Sequence, residues 1–197
     1  MDGLFFLWSG WFLLIVCLFF LPHKIKTSFI YHLLIIMFLS QFMLPFRMIT
    51  MNAAAGYIIL IACFLIARLA LQSQFYIIIA SVIVGLCQSC FIIFMNLEPL
   101  WFQYIPVWGS GILLLYVSIL LLKESGRRML SLIMGMVISD LLLFIVHIRN
   151  GLPYEALSLS WLDQLAVVTL LFFVWYVFEE IGHYLFAHRK HMHKKEV

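Results

Sequence analysis

Seven stretches of this chain are too long and too apolar to stay in water, and too little polar sequence lies between them to cover them. They run Leu4–Leu21, Phe29–Leu44, Ala53–Leu71, Phe75–Met95, Val107–Leu122, Met129–Ile148 and Gln164–Phe186. A helix needs about 17–25 apolar residues to cross the hydrocarbon of a bilayer, and each stretch is near that length, the second and fifth slightly short. Of 197 residues, 65% are hydrophobic and 11% charged. A soluble domain is about half apolar and about a quarter charged. In lipid the backbone must satisfy its own polar groups, which leaves helices or a closed barrel. The stretches lack the alternation over about ten residues that barrel strands need. The expected fold is all-α: a polytopic membrane protein, a bundle of seven transmembrane helices. It forms one transmembrane domain over residues 1–197, ending in a basic, His-rich tail at 187–197.

The breaks carry turn chemistry: Pro22-His23-Lys24, Pro45 with Arg47, Gln72-Ser73-Gln74, Glu98-Pro99 with Pro106, Lys123 to Arg128, and Asn150-Gly151 with Pro153. Ten cations (Lys24, Lys26, Arg68, Lys123, Arg127, Arg128, Arg189, Lys190, Lys194, Lys195) fall on one side of the alternation and two (Arg47, Arg149) on the other. Cytoplasmic loops hold the excess of Lys and Arg, so the N-terminus is expected outside and the C-terminus inside. Trp101, Phe102, Tyr104 and Trp108 would form an outer aromatic belt. Met1-Asp2-Gly3 lacks the basic start of a signal peptide, and the first stretch reads as a retained span. Cys17, Cys63, Cys87 and Cys90 all lie inside apolar runs, so no disulfide framework is expected.

Few residues carry chemistry. Asp140 lies eleven residues into its span, about 16 Å deep and near the bilayer centre. A carboxylate there costs several kcal/mol unless paired, protonated or wetted. It is either an ion or proton site or a buried polar lock. Glu179 and Glu180, near the cytoplasmic end of the last span, would sit at the inner mouth of such a pathway, about one helix turn in depth from Asp140. Glu180 and His183 have the i, i+3 spacing that can offer a carboxylate and an imidazole to a metal. Di-metal bundles need two such pairs, and the alternative is that these acids snorkel toward the basic tail. In that tail, Arg189, Lys190, Lys194 and Lys195 suit contact with anionic lipid, and His188, His191 and His193 among them are a compositional metal signal only.

Two segments match fifty residues apart: Ser81-x-Ile83-x-Gly85-x-x-x-Ser89 and Ser131-x-Ile133-x-Gly135-x-x-x-Ser139. Small residues four apart share a helix face and let backbones approach closely, so these are helix-packing surfaces, within the bundle or between copies. No Ser-His-Asp pattern, glycine-rich phosphate loop or His-Glu-x-x-His motif occurs.

The length, the seven-span plan and the opening Phe5-Phe6-Leu7-Trp8-Ser9-Gly10-Trp11 running into Phe19-Phe20 resemble the YphA-like membrane proteins of Bacillus and its relatives. That resemblance implies a bacterial plasma-membrane protein connected with spore formation, and transfers no catalytic residues. Glu179-Glu180 also resembles the opening of the Glu-Glu-x-x-x-Arg motif of CAAX-type intramembrane proteases, but Tyr184 stands at the sixth position, and the later histidine motifs have no room after residue 186.

The leading expectation is a non-enzymatic interaction or assembly factor of the plasma membrane. Its partners are the lipid bilayer and other membrane proteins or itself, with no nucleic acid and no cofactor. Its competitors are a small ion-coupled transporter or channel using Asp140, and a membrane-embedded metal enzyme using Glu179, Glu180 and His183.

Overall fold

In lipid, van der Waals contact between small side chains and hydrogen bonds between polar ones hold helices together, because the solvent is as apolar as leucine. The computed structural model of the chain, which describes residues 3–20, 23–46, 49–98, 108–151 and 154–193, has that character throughout. The residues turned outward are large and apolar: Trp8 is 74% exposed, and Phe19 and Phe20 are each 81% exposed. Ser81, Ser118, Ser131 and Ser139 are buried, as are Asn52, Gln88, Arg128 and Asp140.

Among the described residues there are seven helices and one hairpin: α1 Leu4–Phe20, α2 His23–Leu39, β1 Met43–Phe46, β2 Ile49–Asn52, α3 Ala53–Ala67, α4 Leu71–Leu97, α5 Trp108–Leu121, α6 Ser125–Arg149 and α7 Leu159–His193. By length and composition, α4, α6 and the Leu159–Gly182 part of α7 can cross a membrane. The other four are apolar but shorter. At about 1.5 Å per residue, the 15 residues of α3 cover about 22 Å of a core about 30 Å thick.

The second apolar stretch departs from expectation. Helix α2 ends at Leu39, and the residues expected to continue it to Leu44 instead form an antiparallel hairpin, Met43 opposite Asn52 and Phe46 opposite Ile49. Pro45 explains the change. It has no N–H to give a helix and pushes its predecessor toward extended backbone. The turn is closed by Ser40, whose hydroxyl donates to the Met37 carbonyl at 2.7 Å, and by Asn52, whose amide donates to the Ser40 carbonyl at 2.9 Å. The same Asn52 begins α3 as its N-cap, its side-chain oxygen accepting from Ala54 N–H at 2.9 Å.

Helices α4 and α6 pack most closely. They run parallel: Ser81 and Val84 face Gly135, Gly85 faces Ile138, and the Ser89 hydroxyl lies 3.1 Å from that of Ser139. A Cβ on Gly85 would sit 2.8 Å from the Gly135 carbonyl oxygen, and one on Gly135 would sit 2.6 Å from Cγ1 of Val84. The two matching segments of the sequence are thus the two halves of one intrachain seam. Ser131 and Ser81 are buried at its far end.

The start of α7 meets the start of α1, since Asp163 accepts from the N–H groups of Gly3 and Phe6, each at 2.7 Å. The chain therefore enters the bundle at the end that holds the hairpin and the loop before α7. It leaves at the opposite end, along the single 35-residue helix α7.

Gly135→Val should overpack the seam by about 1–3 kcal/mol and lower the melting temperature in detergent. Gly126→Ala, whose added Cβ meets nothing within 4 Å, should not lower it. Parallel circular-dichroism melts of the two variants decide the point.

Candidate functional site

Asp140 lies nine residues before the end of α6 and is 7% exposed. Its carboxyl group turns toward the loop that precedes α7. One oxygen accepts from the Tyr154 hydroxyl at 2.7 Å and the other from the Leu157 N–H at 2.6 Å. Leu157 is the one non-glycine residue with positive φ among those described, at 51°. Such a conformation costs about 1–2 kcal/mol and persists only when its surroundings hold it. Here it is held from both sides: its N–H by Asp140, and its carbonyl by the Asn52 N–H at 3.3 Å. Burial first, then the bond to Asp140 and its charge, push the Tyr154 phenol above its ordinary value. Tyr154 therefore remains a proton donor throughout the neutral range.

Beside Asp140 a polar cavity of about 370 Å³ opens between α4, α5, α6, the start of α7 and the 154–158 loop. Gln88 and Asn96 of α4, Ser139, Asp140 and His147 of α6, and Gln164 of α7 reach it, with Tyr154 and Glu155 from the loop. Gln88 donates to the Gln164 side-chain oxygen at 3.1 Å, while its own side-chain oxygen is buried with no partner. His147 Nδ1 lies 2.8 Å from the Leu143 carbonyl, which fixes the proton on that nitrogen. Beneath the cavity the Trp161 indole donates to the Met136 carbonyl at 3.3 Å.

Glu179 lies elsewhere. It forms a forked ion pair with Arg128, at 2.7 and 3.4 Å, and Arg128 donates a third bond to the Leu122 carbonyl at 2.6 Å. Arg128 precedes Asp140 by twelve residues on one helix, about 18 Å. Asp140, past the middle of α6, and Glu179, paired at its start, thus do not face each other. Glu180 is exposed. The side chains of His183, Arg189 and Lys190 lie outside the described residues, as do Lys194 and Lys195 and the aromatic residues 101–104. Among the described residues no three His, Cys, Asp or Glu side chains group as a metal site would require.

Several of these contacts were open to sequence reasoning in principle. Asn52 directly precedes an apolar run, the place of an N-cap. Asp163 holds the same position before the last run, but α7 begins earlier, at Leu159, and Asp163 caps α1 instead. Arg128 counted as one more inner cation, and nothing local tied it to Glu179.

The family model for YphA-like integral membrane proteins matches residues 2–197. No curated protein and no solved structure matches the chain.

Asp140→Asn should present an NH2 group to one of two donors and so leave a buried polar group unsatisfied, at a cost of about 1–3 kcal/mol. Limited proteolysis should then cut sooner within residues 150–158, with Tyr154→Phe showing a smaller effect. At the other end, Glu179→Leu should destabilise by about 3 kcal/mol, since it strands the buried Arg128, and Arg128→Leu should cost less, since the Glu179 it leaves behind is a third exposed. The double variant should recover much of that loss, and a thermal-melt double-mutant cycle reads the coupling.

Proposed function

Since this chain belongs to the YphA-like integral membrane family, we propose that it is a multi-pass protein of the bacterial plasma membrane that acts as a non-enzymatic interaction or assembly factor, in the context of spore formation. Seven spans place its N-terminus outside and its C-terminal basic tail in the cytoplasm, against anionic lipid. One observation carries the reading: two of the three acids expected to perform chemistry are occupied in holding the structure together. Of the three, Asp140 fastens a loop and Glu179 is paired with Arg128, while Glu180 is exposed. A catalytic or ion-coupled acid has to exchange partners during its cycle, and Asp140 or Glu179 would release a structural element in doing so.

The ten-to-two division of cations supports the orientation. The bond between Asp163 and the start of α1 agrees with it, because the starts of the first and last helices share one end of the bundle.

A second reading, a small ion-coupled transporter, has the cavity beside Asp140 in its favour. It needs a continuation of that cavity to the opposite end. Arg128, Leu132, Met136 and Asp140 repeat every four residues on α6, and the two apolar members are 0% exposed.

The experiment pairs two measurements. Cross-linking in intact cells, followed by purification through a tag on Val197, should recover one specific membrane protein or a second copy of the chain. That recovery should persist in Glu180→Gln. Proteoliposomes loaded with a pH-sensitive dye should show no proton or sodium flux above empty vesicles. A saturable flux abolished by Asp140→Asn would replace the assembly reading with the transporter. A tag on Val197 reached by impermeant reagents outside intact cells would overturn the orientation.

A further inference from the structure

The polar cavity is more than the structural contacts require. Asp140, Tyr154 and Leu157 account for one wall, but Gln88 does not belong to that lock. It is 2% exposed, reaches the cavity from α4, and keeps a side-chain oxygen with no hydrogen-bond partner. Leaving a buried acceptor unmade costs about 1–3 kcal/mol. The rest of the lining is rich in acceptors. The two Asp140 oxygens accept one bond each and retain further lone pairs. His147 holds its proton toward Leu143, which leaves Nε2 as an acceptor in the neutral ring. Glu155 adds a carboxylate at the exposed rim. Among the described residues no Lys or Arg lines the cavity.

We infer that this cavity binds the ammonium group of a small amine. The inference goes beyond the assembly reading and does not depend on it. A protonated primary amine offers three N–H donors and a positive charge, and the lining offers unmatched acceptors and two carboxylic side chains. An anion would meet those carboxylates with no compensating cation. A quaternary ammonium would bring charge but no donor for the Gln88 oxygen. The volume, about 370 Å³, falls at the small end of the range of about 300–1,000 Å³ found for small-molecule pockets. The cavity opens at an end of the bundle, so the amine can arrive free in solution or as the ethanolamine headgroup of a phospholipid. Both present the same ammonium to the same acceptors.

The test uses the full chain in nanodiscs of phosphatidylglycerol, which carries no amine. Ethanolamine is titrated while the melting temperature is followed, with choline as the control cation, and a parallel set of nanodiscs is doped with phosphatidylethanolamine. Ligand that binds the folded state raises the melting temperature by mass action. Ethanolamine should do so at concentrations at least tenfold below choline. Gln88→Leu and Glu155→Gln should each shift its midpoint upward by about tenfold or more. Stabilisation by free ethanolamine identifies a soluble amine, and stabilisation only by the doped lipid identifies the headgroup. If Gln88→Leu fails to fold, the exposed Glu155→Gln decides. A cavity filled by water alone would respond to neither amine source. That result overturns the inference, as does equal binding of choline or an unchanged midpoint in Glu155→Gln.

Discussion

Asp140 offers two acceptor oxygens on the wall of a polar cavity, and one end of the bundle is arranged around them. Its bond to Leu157 sustains a left-handed residue that leucine disfavours. The turned carbonyl of Leu157 then meets Asn52, and Asn52 in turn closes the end of α2 and starts α3. One side chain on α6 thus orders, through four residues, the approach to α7, the hairpin and two other helices. The cost of placing a carboxyl group in lipid is offset by donors that themselves would be unsatisfied without it. Without it the buried Leu157 amide and the half-buried Tyr154 phenol would each lose the partner they have. The group is better regarded as a fastening than as a reactant.

The rest of the bundle follows a different rule. Apolar side chains gain little by leaving lipid for one another, so helix contact depends on close approach. The α4–α6 seam achieves it with Gly85 against Gly135 and a serine pair above them. Helix α7 depends on polar ties instead: Asp163 to the start of α1 near its beginning, and Glu179 to Arg128 farther along. Between Phe173 and Phe178 its residues face outward, as a lipid-facing surface would.

The helices were legible because their apolar runs are long, and a residue such as Leu4 or Ala53 marks the same start in the sequence and in the structure. The seam was legible as two small-residue faces, though nothing in either segment said that they face each other. The hairpin was not legible. Met43 to Asn52 is apolar enough to read as the end of one span and the approach to the next, and only Pro45 argued against it. Least legible were the long-range polar pairs. Asp163 with Gly3 and Arg128 with Glu179 join residues 160 and 51 positions apart. A one-dimensional reading of depth put Asp140 and Glu179 at nearly the same level, because it took the expected spans as starting flush with the membrane. In the structure α7 begins five residues earlier than that reading placed it, and the Glu179 partner sits at the very start of α6.

That separation bears on what the interior can do. Along one face of α6, two charged residues stand at the ends and two fully buried apolar ones, Leu132 and Met136, lie between them. Val84, Leu114 and Leu162 are buried to a similar degree and belong to the same cluster. A cation drawn toward the acceptors around Asp140 meets this layer next, and beyond it a guanidinium already engaged by Glu179. Desolvation at the layer and repulsion at the arginine both oppose passage. In the orientation proposed here the acceptor-rich end faces outward and the arginine end faces the cytoplasm. A positive group then has a place to enter and no comparable place to leave on the far side. Such an arrangement favours occupancy over flux: a site that is filled or empty, at the junction where Asp140, Tyr154 and Leu157 set the form of the outer loop.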